Sequence, residues 1–399
     1  MGVPGLTGRM KGHEVRVKAD YIDRWKLFID GPSLAFFICK FEVIPNDNGS
    51  YRQYYTAACE TIKRILALTT DVYIYFDGAL PEDKRPLRFQ RRQSFISRQR
   101  YEPVFAPQLL LQVLMEQFPD IPYTIVADEA DTAIAQQVEN EDKQTPIGIL
   151  SSDSDFYTYK FSSSNVHLIL LSSCDFLSRT PVIYVINLQK VRHLVKTSDL
   201  KSVPSLVPDT VLPPKVFLQT HELINSYVVS GYMGAYLQVL NEEIQFAPAW
   251  EVGRSLRAVA YTRLIRPYGD FKSMTEFARS GMRYISKDLP LCAEDNATLE
   301  HDLSSEQHLI NMMINEICHT SRGPGKSYEK VVQNYLNHVL STTDPTPLTN
   351  KPVSPELNQI FAKIQAMIYS LTLLQSSGFS LPITFRITHI DWPSFVLQI

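Results

Sequence analysis

The sequence predicts an α/β fold for its first half and a largely helical second half. In the first half, short runs rich in β-branched and aromatic residues alternate with helix-like stretches. These runs are apolar along their length, which is typical of a mostly parallel sheet covered by helices on both faces. The predicted strands are residues 26–30, 72–76, 123–127, 147–150, 166–171 and 182–186, and the predicted helices are residues 54–68, 84–100, 107–117 and 129–139.

Proline-rich segments divide the chain. Four prolines between residues 202 and 215 indicate a linker, and the sequence after it has helical periodicity with little strand signal. A second segment, 341–355, is rich in Pro, Thr and Ser. The predicted organisation is a domain at 1–203, a linker at 204–215, a helical region at 216–340, and a C-terminal part at 341–399 with a linker, a helix (356–375) and a β-like tail (383–390).

The composition excludes several classes of protein. The net charge of the 399 residues is −3, so any affinity for a polyanion has to come from local clusters of positive charge. Five dispersed cysteines without a Cys-x-x-Cys pair argue against a disulfide framework or a zinc finger. We find neither an apolar run of about 18 residues nor the apolar core of a secretory signal. We therefore expect a protein that is not secreted and has no membrane partner.

Acidic residues follow four of the predicted strands. In chain order they are Asp30, Asp77, Glu129 with Asp131, and Asp153 with Asp155. Ligands of open α/β sheets bind beyond the carboxyl ends of the strands, so we expect these side chains to meet at one edge. Each acid taken alone is more typical of a helix N-cap or a turn, and Asp128, just before the helix at 129, is interpreted as such a cap.

Several carboxylates at one edge repel each other unless a cation is present. Oxygen ligands without a Cys or His partner favour Mg²⁺ or Mn²⁺. Two such ions about 4 Å apart are a known device for in-line displacement at phosphate. The set of six acids therefore predicts a site for two Mg²⁺ or Mn²⁺ ions that acts on phosphodiesters.

A basic stretch follows the strand that ends at Asp77. Seven Lys or Arg residues fall within the 17 residues from 84 to 100, which contain no acid. We predict that Lys84, Arg85, Arg88, Arg91 and Arg92 contact nucleic-acid phosphates. The alternative is an ordinary cationic helix that faces solvent. Phe89 and Phe95 within the stretch are more typical of anchors to the core than of base-stacking residues.

These residues together resemble the flap endonuclease/XPG family. The family's N-terminal motif is matched by Met-Gly-Val-Pro-Gly-Leu at residues 1–6, and its acids appear in order. Lys84 and Arg91 stand seven and fourteen residues after Asp77, the spacings at which the family places a catalytic Lys and an Arg. Residues 76–85 and 150–157 are most similar to the asteroid proteins of this family. The resemblance covers about residues 1–260.

The resemblance implies a three-layer α/β/α PIN-like nuclease domain. It implies a metal-dependent, structure-selective nuclease that cleaves DNA at single-stranded tails, flaps or junctions by a two-metal mechanism, with a role in DNA repair and a nuclear rather than a cytoplasmic location. In that mechanism the six acids hold the ions, Asp77 and Asp153 are catalytic, and Lys84 and Arg91 stabilise the phosphate charge. Gly2 would let the N-terminus pass close to the nucleic acid.

The chain also departs from the family. Residues 228–233 lack the further Asp that family nucleases carry after the sheet, so one of the two ions should be loosely held. A Gly-rich helix–turn–helix for duplex DNA is not recognisable. The alternative function is a degenerate nuclease fold, a scaffold that binds nucleic acid, or a protein partner through residues 216–399, without cleavage.

Overall fold

The alternating pattern of the first half folds into the predicted sheet. A computed structural model of the chain describes residues 5–39, 51–99, 103–176, 181–204, 217–291, 303–319, 328–341 and 354–383. Some predicted features lie outside these residues: Gly2, most of both linkers (205–215 and 342–353), and the tail at 384–390.

The six predicted strands and four predicted helices of the first half are all present, together with further strands and helices that the sequence did not predict. The strands are β1 (Val15–Val17), β2 (Lys26–Asp30), β3 (Val72–Phe76), β4 (Tyr123–Ile125), β5 (Ile147–Ser151), β6 (Tyr159–Lys160), β7 (Val166–Leu170), β8 (Ile183–Asn187), β9 (Lys201–Ser202), β10 (Gly234–Tyr236), β11 (Ser273–Ser280) and β12 (Arg283–Pro290). The helices are α1 (Leu6–Met10), α2 (Gly31–Ile38), α3 (Tyr51–Leu66), α4 (Arg85–Ser97), α5 (Ala106–Gln117), α6 (Ala130–Asn140), α7 (Leu188–Val191), α8 (Leu218–Ser230), α9 (Arg254–Ile265), α10 (Glu306–His319), α11 (Glu329–Ser341) and α12 (Pro355–Ser376).

Residue contacts divide the chain into two units. The first unit comprises Met1–Val43, Tyr54–Leu80 and Ala106–Pro214, and the second comprises Ile44–Gln53, Pro81–Phe105 and Lys215–Ile399. The second unit therefore includes the basic stretch, which the sequence places inside the domain at 1–203. The predicted limits of the domain and of the linker after it stay predictions.

The first unit is built on a seven-stranded sheet in the order β1-β8-β7-β5-β2-β3-β4. The strands from β7 to β4 are parallel to their neighbours, and β8 and β1 pair antiparallel at one side. The chain runs from β2 outward to β3 and β4, then returns to β5 on the other side of β2. This reversal is a topological switch point, where open α/β sheets bind their ligands.

Helices cover both faces of this sheet, and the three-layer α/β/α fold is confirmed. Phe28 and Ile149 on one face pack in a core with Ile134 and Val138 of α6. Since side chains alternate along a strand, the neighbouring Leu27 and Ile29 point to the other face. There α2 packs against β3, β5 and α5.

Two glycines follow acids because the backbone passes too close for a side chain. A Cβ added at Gly31 would lie 2.8 Å from the Tyr75 carbonyl oxygen, and one at Gly78 would collide with the Val126 carbonyl oxygen. The Gly78 amide also donates to the Asp128 carbonyl at 2.7 Å. The Asp30-Gly31 and Asp77-Gly78 pairs thus let the strand ends lie against neighbouring segments.

The second unit contains a sheet that the sequence did not predict. Strands β10, β11 and β12 form a three-stranded sheet within the region predicted as helical. The strand signal is hidden because two buried positions of β11 carry charges, Glu276 and Arg279, which are 5% and 2% exposed. Arg257 of α9 donates to both carboxylate oxygens of Glu276, at 2.6 and 3.1 Å. Alternation of apolar and polar residues therefore fails as a strand signal here.

Helices fill the rest of the second unit. Helix α12 is buried along most of its length and packs against α9. A second buried ion pair joins Arg279 to Glu242 at 2.7 Å. Within the described residues, no helix has both the length and the apolar character needed to cross a membrane.

We predict that Gly78→Ala destabilises the fold by about 1–3 kcal/mol, the usual cost of forcing extra volume into a packed site. The new methyl group would collide with the Val126 carbonyl, so β3 and the segment after β4 would have to separate. Chemical denaturation measures the change. Gly12→Ala is the matched control, because a Cβ there meets no atom within 4 Å. Equal stability of the two variants would contradict the close approach.

Candidate metal centre

The predicted acids are placed by four neighbouring strands. Because β5, β2, β3 and β4 are adjacent and parallel, their carboxyl ends share one edge of the sheet. Asp131 lies in the first turn of α6, and Asp153 and Asp155 follow β5. One carboxylate oxygen from each of these three residues lies within 4.8 Å of the others. We call Asp131, Asp153 and Asp155 the acid triad.

The acid triad fits a divalent cation with oxygen ligands. Mg²⁺–oxygen distances of about 2.0–2.1 Å place the ligand oxygens of one octahedral ion roughly 3–4 Å apart. The spacing of the triad is therefore a small side-chain adjustment from that of a cation site. Carboxylates alone, without Cys or His, are the donor set that suits Mg²⁺ or Mn²⁺.

Hydrogen bonds hold the loop after β5. The Ser151 hydroxyl accepts from the Asp153 amide at 2.9 Å, and the Asp153 carboxylate accepts from the Asp155 amide at 3.0 Å. Lys201 Nζ lies 3.7 Å from Asp155 Oδ2, although 54% of the Lys201 side chain is exposed. The triad thus has a basic neighbour within the first unit.

Asp30 is buried beside the triad and is held by two serines. Its Oδ2 accepts from the hydroxyls of Ser33 (2.6 Å) and Ser151 (2.7 Å), and its Oδ1 accepts from the Ser33 amide at 3.0 Å. Asp30 is therefore the N-cap of α2, the role that a single acid after a strand usually has. Among the described residues, Oδ1 accepts one hydrogen bond, from the Ser33 amide, which leaves capacity for a cation.

Burial raises the pKa of the Asp30 carboxyl. The hydrogen bonds from Ser33 and Ser151 oppose this shift, and the charge of Asp131 adds to it. A cation next to this buried carboxylate would favour its charged form and would therefore lower its pKa again.

Asp77 lies in an environment that disfavours its charged form. Burial of its carboxyl raises the pKa to about 7, and the charges of Asp30, Glu129 and Asp131 add to the rise. More than a third of the Asp77 surface is accessible to solvent. The protein atoms packed around the carboxyl group nevertheless disfavour its charged form, which raises the pKa. Its Oδ1 accepts from the Ala130 amide at 2.9 Å, in the first turn of α6.

Helix α6 begins at a different residue from the one expected. Its N-cap is Glu129 rather than Asp128, and the Glu129 side chain makes no capping hydrogen bond. The Asp77 carboxylate from the neighbouring strand binds an amide at this helix end instead. The triad does not include Asp30, Asp77 or Glu129. The charge of Asp131 nevertheless adds to the raised pKa of Asp30 and of Asp77, and the charge of Glu129 adds to that of Asp77.

Three residues around the site were not predicted from the sequence. Ser33 stands three residues after the capping Asp30, a spacing that could have indicated its hydrogen bond. The role of Ser151 as a donor to Asp30 depends on the pairing of β5 with β2, which no local pattern shows. Lys201 lies 46 residues after Asp155, so no local pattern connects the two.

The basic stretch lies in the second unit and packs there. The Arg85 guanidinium stacks 3.7 Å from the Tyr232 ring centroid and donates to the Ser230 hydroxyl, and Arg88 pairs with Glu222 at 3.4 Å. Arg92 is buried, at 6% exposure. Lys84 is half-buried and Arg91 is exposed. The nucleic-acid contacts predicted for these residues, and for Gly2, stay predictions.

The interleaved aromatic residue Phe89 serves as an anchor, as expected. Its ring packs edge-on against Phe277 of β11 and Tyr284 of β12, with centroid distances of 6.0 and 5.4 Å. Gln93, one turn further along α4, hydrogen-bonds the backbone of Met282 and Tyr284. These contacts show that α4 has a structural role in the second unit.

Comparisons with known proteins find similarity only among solved structures. No family model and no curated protein matches the chain. The catalytic core of Rad2 in complex with DNA substrate is 17% identical with a TM-score of 0.36, and the match covers 48% of this chain and 57% of that one. Human GEN1 in complex with Holliday junction DNA is 13% identical with a TM-score of 0.33, covering 48% and 46%. The chain thus spans about half the length of these two structures.

We expect Mg²⁺ or Mn²⁺ to raise the melting temperature, because a cation that binds the folded chain stabilises it by mass action. Asp153→Asn should reduce this shift, since it removes one of the three charges of the triad. Thermal unfolding with the metal and with EDTA measures the effect. Asp20→Asn, an exposed acid elsewhere in the first unit, is the control. Equal metal-induced shifts in wild type and Asp153→Asn would exclude the triad as the metal site.

The raised pKa of Asp77 predicts a pH-dependent stability without metal. Between pH about 4 and about 7 the folded chain binds a proton that the unfolded chain has released, so stability falls as the pH rises through this range. Asp77→Asn should therefore melt at a higher temperature than wild type at pH 8 in EDTA, with a smaller advantage at pH 5. Asp23→Asn, an exposed acid before β2, should show no such difference. An advantage of equal size at both pH values would refute this assignment.

Proposed function

We propose that the chain is a metal-dependent, structure-selective nuclease that hydrolyses phosphodiester bonds. The observation that carries this proposal is the acid triad, with Asp30 and Asp77 beside it, at the carboxyl edge of four adjacent parallel strands. The ordered motifs that resemble the flap endonuclease/XPG family support the same conclusion, and within that family the asteroid proteins are the most similar. DNA is the substrate that this resemblance implies.

The acids have two kinds of role in this proposal. Asp131, Asp153 and Asp155 would hold one Mg²⁺ or Mn²⁺ ion, and Asp30 and Asp77 with Glu129 would hold a second. When bound at such a site, these ions activate water as a nucleophile and stabilise the charge on the leaving oxygen. The two serines that bond Asp30 keep its carboxylate fixed in orientation.

The resemblance to the family also assigns positive charge to the reaction. We propose that Lys84 and Arg91 stabilise the charge that develops on the phosphate, as preorganised cations do in other phosphoryl-transfer sites. The family's motif spacing supports this assignment. A nuclear location and a role in DNA repair follow from the same resemblance.

A scaffold without cleavage is the second candidate function. Residues 228–233 provide no acid to complete a second ion site, and Tyr232 in this stretch lies against the Arg85 guanidinium. In that case the chain would bind nucleic acid, or a protein partner through residues 216–399, and the acids would be remnants of the fold's ancestry.

The decisive experiment is a cleavage assay on labelled single-stranded, flap and duplex DNA with Mg²⁺, Mn²⁺ or EDTA. We expect weak cleavage that is greater with Mn²⁺. A site that lacks one acid binds its ion weakly, and Mn²⁺ binds a given oxygen site more tightly than Mg²⁺ does. Lys84→Ala should cost roughly 2–4 kcal/mol of transition-state stabilisation while affecting binding less than turnover. Asp77→Ala should abolish cleavage.

Asp20→Asn is again the control for the loss of an acid at the surface. The chain would be a scaffold if the wild-type protein cleaves none of these DNA substrates with Mn²⁺ and if wild type and Asp77→Ala bind nucleic acid with equal affinity. Cleavage that persists in Asp77→Ala would instead place the reaction elsewhere on the chain.

A further inference from the structure

The segment between β8 and β9 crosses the first unit from one edge of its sheet to the other. Strand β8 is antiparallel to β7, so it ends at Asn187 beside His167, near the start of β7. Strand β9 pairs with β6, which follows the acid loop, and Lys201 of β9 lies 3.7 Å from Asp155. Residues 188–200 therefore return to the acid edge, a distance of about 17 Å for strands of five residues.

This returning segment has an apolar side and a basic side. Leu188, Val191 and Val195 are buried in the core on the face that α6 covers. Lys190, His193 and Lys196 are exposed between them. The burial of one side explains why the segment is ordered against the sheet, and it directs the basic side chains toward solvent.

Helix α1 adds to the basic side. The Arg9 guanidinium donates to the Leu194 carbonyl at 3.4 Å, which places α1 beside the segment. Lys11 follows Arg9 and is exposed, as is Arg9 itself. We call Arg9, Lys11, Lys190, His193, Lys196 and Lys201 the cationic strip.

The strip is a local concentration of positive charge. Residues 188–202 contain four Lys or Arg and a single acid, Asp199, whereas the whole protein has a net charge of −3. The first acid in the sequence after α1, Glu14, accepts a hydrogen bond from Ser173 at 2.7 Å. A basic helix or loop usually only faces solvent, but this one ends in direct contact with the acid triad, which indicates a function for its charge.

We propose that the cationic strip binds the phosphate backbone of a nucleic-acid strand and leads it to the acid triad. This proposal rests on the proposed nuclease function. Phosphates held along the strip by Lys190 and Lys196 would approach the acidic edge beside Lys201, whose charge lies next to Asp155. The positive charge also reduces the repulsion that the acids exert on an approaching polyanion.

The test compares binding of a labelled single-stranded DNA oligonucleotide at increasing salt in EDTA, where cleavage does not occur. Replacing Lys190 and Lys196 by Gln removes two phosphate contacts, so the slope of log affinity against log salt should flatten by about 1.4 units. The matched control is the double variant Arg24→Gln/Lys63→Gln. It removes the same charge from exposed positions elsewhere in the first unit and should keep the wild-type slope.

A third variant tests the junction between strip and triad. Lys201→Gln should weaken DNA binding but tighten Mn²⁺ binding in the absence of DNA, because it removes a positive charge beside Asp155. Unfolding would weaken the binding of both DNA and Mn²⁺, so opposite changes in the two affinities would exclude unfolding as their cause. Weakening of both, or of neither, would contradict the position that we give to Lys201.

The outcomes separate this proposal from the nuclease itself. If the strip variant and the control have the same salt slope, the strip merely faces solvent and the proposal is wrong. A wild-type protein that binds no DNA in EDTA would also overturn it. The nuclease proposal is judged independently by Mn²⁺-supported cleavage, which either of these results leaves open.

Discussion

Mutual repulsion between carboxylates is the constraint around which the first unit is arranged. Four adjacent parallel strands deliver acids to one edge, and the sheet offers no way to separate them, since its strands lie about 4.8 Å apart. The consequence is visible in the raised pKa values of Asp30 and Asp77, to which burial and neighbouring acids both contribute. Such an arrangement costs stability unless a cation or a proton compensates for it, so it is expected at a functional site.

The fold compensates for part of this cost with neutral donors. Ser33 and Ser151 donate to Asp30, the Ala130 amide donates to Asp77, and the Asp155 amide donates to Asp153. Each donor favours the charged carboxylate without occupying all of its lone pairs. The glycines after Asp30 and Asp77 permit the close backbone approach on which these contacts depend.

The second unit uses charge in a different way. Arg257 and Arg279 are buried and paired with Glu276 and Glu242, so their charges hold the three-stranded sheet to its surroundings. Arg85, Arg88 and Arg92 of α4 also make contacts inside this unit or are buried in it. A cluster of arginines in a sequence is therefore weak evidence for a binding surface, because each guanidinium can also support a fold.

The sequence by itself determined the layout of the first unit. Strands with a short apolar run, such as β2 and β5, and helices with clear periodicity, such as α5 and α6, were predictable because local pattern and burial agree. The acids could also be assigned to one edge of the sheet, because the carboxyl ends of parallel strands lie at the same edge.

Only the tertiary structure decided which of these acids come together and what surrounds them. The acid triad depends on the side of β2 to which β5 returns, and the contact of Lys201 with Asp155 depends on the pairing of β9 with β6. The sheet of the second unit was hidden because charged residues occupy buried positions of β11 and are neutralised by partners on other segments of the chain. Pairings between distant residues leave no local pattern, so the folded chain is needed to reveal them.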